Sequence, residues 1–114
     1  TPEVTKSPFT SFKKVLELAQ YNHTYMKFGG LGEFCERPNT LTADIGFNDI
    51  PPLIELAVDA FGFQRLMWGS DYTPVSQREG YANALNYPLN LDIFNSKEAK
   101  NHVLSKTAIE CWGL

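Results

Sequence analysis

Three observations predict an α/β fold with parallel strands. Two apolar runs of strand character, Thr24-Tyr25-Met26-Lys27-Phe28 and Arg65-Leu66-Met67-Trp68-Gly69, are stopped by glycine. Between them Leu53 to Phe61 follows a helical apolar pattern closed by Gly62. A strand joined through a helix to the next strand is a βαβ unit, and such strands pair in parallel. Two parallel strands do not make a sheet with both faces buried. By length and strand count, the 114 residues amount to about a quarter to a third of an eight-stranded barrel, which takes about 250 residues.

Each element has its own signals. After Ser7-Pro8, Thr10 or Ser11 is placed to cap a helix through about Gln20, with Phe12, Val15, Leu16, Leu18 and Ala19 at helical spacing. Tyr21-Asn22-His23 reads as a loop before the first strand. Leu31 to Asp49 is punctuated by Gly, Asn, Thr and Pro and reads as a long loop with one helical turn, a length that inside compact domains usually serves function. Asp49 is placed to cap the next helix, with Pro51 and Pro52 tolerated in its first turn. The second strand runs from Arg65 to Gly69, and a polar loop from Thr73 to Glu79 follows Asp71. A helix from about Gly80 to Asn86 is expected to stop at Pro88, which pushes the preceding residue out of helical conformation. Ser96 is an N-cap for a helix over Lys97 to Leu104, and Ser105 starts a short last helix from Thr107 to Trp112. The whole reads as one domain without repeats or linkers.

Composition excludes several classes of function. Apolar residues make up 43% and charged residues 20%, ordinary for a globular protein. The net charge is −3 and the longest basic cluster is Lys13-Lys14, too little to track phosphates, so nucleic acid is not an expected partner. No apolar run reaches the length of a membrane span, so no membrane is expected either. The N-terminal segment has neither an apolar signal region nor an initiator Met, as expected of a processed, trimmed or excerpted chain. Cys35 and Cys111 stand alone, without CxxC or Cys/His spacing, and point to free thiols in a reducing, cytoplasmic setting.

The chemistry concentrates at the strand ends. Asp71 follows a buried-strand pattern at its carboxyl end, where α/β enzymes place catalytic carboxylates. Strand alternation puts it in phase with Gly69 and Met67, opposite Trp68. Over a barrel mouth it can ligate a divalent metal or take a proton from metal-bound water. The alternative is that its side chain caps the following turn at the Thr73 or Val75 amide. Lys27 shares a face with Tyr25 and Gly29 and needs a substrate anion or an ion-pair partner. Arg78-Glu79 suits either an anionic substrate or a solvated surface. Gly29-Gly30-Leu31-Gly32 lacks dinucleotide spacing and reads as room for backbone near a ligand or a neighbouring strand. His23 reads as solvated or capping and His102 as surface packing.

Phe61-Gly62-Phe63-Gln64-Arg65-Leu-Met-Trp-Gly-Ser-Asp71-Tyr72 resembles the last barrel strand of the amidohydrolase-2 family, metal-dependent hydrolases, lactonases and decarboxylases on a TIM barrel. Tyr25-Met-Lys27-Phe-Gly-Gly30-Leu resembles the preceding strand, and Lys106-Thr-Ala108-Ile-Glu-Cys-Trp112 is similar to the closing helix. The resemblance implies the C-terminal part of a (β/α)8 barrel, its last two strand–helix units, with Asp71 as the catalytic carboxylate and metal-ligand candidate. Lys27, Tyr72 and Arg78 are the substrate-binding candidates. Where the family commonly has Pro directly after the aromatic, Thr73 stands here and Pro74 follows. The family's other ligands are histidines on earlier strands, including a His-x-His pair, and this sequence has none at such positions. The implied cofactor is zinc or manganese in the full-length family, with none required of this chain. The implied activity is hydrolysis of a lactone, ester or amide, ahead of decarboxylation, on a small-molecule substrate, with the isolated chain inactive. The rival expectations are a non-catalytic module that buries its open sheet by self-association, and a truncated remnant.

Overall fold

The computed structural model describes residues 6–35, 47 and 50–114. Its elements, in order, are α1 (Thr10–Leu16), β1 (Met26–Phe28), α2 (Leu53–Phe61), β2 (Leu66–Trp68), α3 (Tyr72–Ser76), α4 (Tyr81–Leu89), α5 (Lys97–Asn101) and α6 (Thr107–Trp112). Short 3₁₀ turns follow α1 and β1, precede β2 and follow α4. β1 and β2 pair in parallel, with Met26 opposite Leu66, Lys27 opposite Met67 and Phe28 opposite Trp68. α2 makes the crossover, so the expected βαβ unit is present. The expected cap at Asp49, and the expected long loop beyond Cys35, lie outside the described residues apart from Phe47.

One apolar core joins these elements. Leu66 is fully buried on β2 and clusters with Leu16, Ile54, Ala57, Phe61, Phe94, Ala99 and Val103. Phe28 stacks on Phe94 with ring centroids 5.7 Å apart, tying β1 to the turn after α4. At the N-terminal end of β2, Arg65 secures the preceding loop. Its guanidinium donates to the carbonyls of Ala19 and Tyr21, each at 2.9 Å, and lies 5.1 Å from the centre of the Phe61 ring. These contacts supply partners for carbonyls at a helical end, which otherwise lack them.

Four expectations are corrected. α1 begins behind Phe9, and neither Thr10 nor Ser11 caps it. The segment after Asp71 is the short helix α3 rather than a polar loop, and Val75 on it is fully buried. Pro74 falls in its first turn, where a missing N–H removes no helical bond. α4 does not stop before Pro88 but includes it. The proline has no N–H for the Ala84 carbonyl, and the Trp68 indole N–H donates to that carbonyl instead, at 3.2 Å. Nor is there a break at Ser105. The chain passes from α5 to α6 through a π-helical segment, His102–Lys106. Ala99, Val103 and Thr107 are all buried at intervals of four, and the wider π turn keeps them in line where 3.6 residues per turn would rotate Thr107 away. The Thr107 hydroxyl contacts the carbonyls of Phe63 and Gln64, at 3.3 and 3.1 Å. The expected cap at Ser96 is present, its hydroxyl accepting from the Ala99 amide at 3.0 Å.

Candidate active site at the carboxyl ends of β1 and β2

Both strands lead into tight turns at the same end of the sheet. Gly29 and Gly69 lie against each other, and a Cβ on Gly29 would collide with the Gly69 carbonyl. A Cβ on Gly69 would come within 2.7 Å of Lys27 Cδ, so the Lys27 stem crosses the strand end over a glycine. Lys27 is exposed, and among the described residues it makes no ion pair; the expected structural ion pair is not found there.

Asp71 lies just beyond β2 in left-handed conformation, with φ 48° and ψ 48°. The strand ends at Trp68, so the direction of Asp71 is set by this turn and not by strand alternation. The alternative that its side chain caps α3 is overturned: the helix has no side-chain cap, and the Val75 amide donates to the Asp71 main-chain carbonyl at 3.1 Å. The carboxylate is exposed and faces the turn at Gly30, where a Cβ would stand 3.3 Å from Asp71 Oδ2. Gly30 itself has φ +65°, a conformation side chains rarely adopt.

The surface expectation for Arg78-Glu79 is also corrected. Arg78 is 8% and Glu79 2% exposed, beneath the glycine turn. Arg78 Nε donates to Glu79 Oε2 at 2.5 Å, and Nη2 donates to Glu79 Oε1 at 3.2 Å and to the Gly30 carbonyl at 3.3 Å. Glu79 Oε1 also accepts from the Gly32 amide at 3.2 Å. A Cβ on Gly32 would strike the Glu79 carboxyl, which explains a glycine there. The hydrogen bond to Glu79 holds the Arg78 guanidinium above its usual pKa against the opposing effect of burial, and the charges of Glu79, Glu33 and Asp71 add to the rise. The sequence named Glu79 only together with Arg78, as an anionic-substrate contact or a solvated surface, because an adjacent pair of opposite charges has no periodicity that marks burial.

The other candidates lie elsewhere or at the rim. Tyr72 is 62% exposed beside Asp71, its ring 6.4 Å from that of Tyr81. His23 is exposed in the loop before β1. His102 packs on Phe63 at the opposite end of β2, with ring centroids 5.4 Å apart, and its buried Nδ1 has no hydrogen-bond partner among the described residues. Cys35 and Cys111 form no disulfide. Among the described residues no three His, Cys, Asp or Glu side chains come together as metal donors. No helix there is long and apolar enough to cross a membrane. What the strand ends do offer is an exposed carboxylate able to accept a proton, with an exposed ammonium able to meet an anion.

The sequence model of the Amidohydrolase family matches residues 5–114. No curated protein and no solved structure matches the chain.

Proposed function

Because the chain belongs to the amidohydrolase family, we propose that it forms the C-terminal part of a (β/α)8 hydrolase, with Asp71 as the carboxylate contributed by the last strand. The observation that carries this reading is the exposed Asp71 carboxylate, turned toward Gly30 at the carboxyl end of a parallel strand and not consumed as a helix cap. Asp71 takes the proton released as water adds to a lactone, ester or amide carbonyl, with decarboxylation the lesser candidate. Lys27 and Tyr72 contact the small-molecule substrate from the rim, and Arg78, the third binding candidate, lies beneath the turn with its charge balanced by Glu79.

The family is generally metal-dependent, but one carboxylate, with histidines away from it, does not fit a divalent ion. The isolated chain is therefore proposed to be inactive.

Two measurements test this reading. The isolated chain is expected neither to bind zinc or manganese tightly nor to hydrolyse a lactone; doing both would overturn the partial-site reading. The coding DNA upstream of Thr1 is expected to continue in frame through a His-x-His segment. A start codon directly there would favour a self-associating module instead. That second reading is supported by an apolar groove of about 200 Å³ along β1, lined by Met26, Lys27 and Phe28 together with Phe12, Leu31 and Ile54.

A further inference from the structure

We infer that Glu79 is a positioning residue that holds the Arg78 guanidinium away from Asp71 and so keeps the Asp71 carboxylate open to a ligand. The inference rests on Asp71 being the working carboxylate of the proposed function.

Glu79, Glu33 and Asp71 all act on Arg78 by charge, and two of them bear on the site. One is Glu79, which takes both Nε and Nη2. The other is Asp71: its Oδ2 and Arg78 Nη2 flank the same point above Gly30, 3.3 and 3.6 Å from where a Cβ would stand. A guanidinium is a planar fork with five donors and pairs most strongly when two of them meet one carboxylate. Glu79 wins because it is anchored on every side. Its side chain is fully buried, and Oε1 is fixed by the Gly32 amide. Its main-chain carbonyl accepts from the Asn83 side chain at 2.9 Å. The amides of Arg78 and Gly80, on either side of it, both donate to the Val75 carbonyl, at 3.1 and 2.8 Å. Asp71, strained and exposed, is the looser partner. If Glu79 lost its charge, Glu33 and Asp71 would be the carboxylates left acting on the buried cation, and its movement onto Asp71, across Gly30, would close the site.

The test is carbodiimide-driven coupling of glycinamide to Asp71 in the unaltered chain, read by peptide mass spectrometry at mildly acidic pH. Asp71 is expected to couple readily. Glu79→Gln is expected to cut the coupling several-fold, as Arg78 moves onto Asp71. The double variant Arg78→Gln/Glu79→Gln, which has no cation to move, is expected to restore it. A merely structural role for Glu79 predicts no such rescue. Protection of Asp71 in the unaltered chain overturns the inference outright, whether or not Glu79→Gln folds. Unchanged coupling in folded Glu79→Gln, or no recovery in the double variant, also overturns it. The readout needs no turnover, so failure of the hydrolase reading shows separately in the lactone and upstream-sequence tests.

Discussion

Asp71 combines two demands that few side chains meet together. The chain must leave β2 through a left-handed residue, and that residue must also carry a carboxylate. Aspartate and asparagine tolerate this conformation far better than β-branched residues, for which it is a strained outlier. Asp71→Asn should therefore leave the urea unfolding midpoint nearly unchanged, within about 0.5 kcal/mol of stability. Asp71→Val should cost about 1–3 kcal/mol. Equal stability of the two variants would remove the backbone argument. In the assembled enzyme, Asp71→Asn should lower kcat by about 10²–10⁴-fold if Asp71 moves a proton. The sequence marked Asp71 because a lone acid after an apolar strand is conspicuous. It misplaced Arg78 and Glu79 because their burial depends on the glycine turn folding over them, a contact 47 positions away in the chain.

At the scale of elements, local signals worked where the chain's own bonding decides the outcome, and failed where a distant partner does. Ser96 caps its helix with its own hydroxyl, and Gly62 ends α2, both through neighbours in sequence. Pro88 breaks the local rule because Trp68, on β2, occupies the carbonyl that the proline leaves open. Ser105 fails as a helix start for a similar reason: Thr107 is drawn under Phe63 and Gln64, and the helix widens to reach them. The Trp68–Pro88 dependence gives a double-mutant test. Trp68→Phe removes the indole donor and should cost about 1–3 kcal/mol by leaving the carbonyl of buried Ala84 unsatisfied. Pro88→Ala restores a main-chain donor at that carbonyl, so the double variant should lose less than Trp68→Phe alone. Additive losses in chemical unfolding would show that the indole bond is not the compensation.

At the largest scale, the sheet of the described residues has two strands. Among the described residues β1 has one neighbour, β2. In a parallel pair the N–H and C=O of one residue point to the same side, and successive residues alternate sides. Phe28 accepts from the Gly69 amide at 2.9 Å, so Phe28 and Met26 face β2, and the main chain of Lys27 faces the open edge. That edge borders the apolar groove along β1, and an uncovered strand edge beside an apolar surface is a site for pairing with another strand. In the dilute isolated chain, the Lys27 amide should exchange with deuterium far faster than those of Met26 and Phe28. Raising the concentration should slow it if the edge is covered by a second copy. Supplying the preceding barrel segment should slow it if the chain is the end of a barrel. Slow exchange at Lys27 in the dilute monomer would mean that the chain covers its own edge, and the need for a partner strand would fall away.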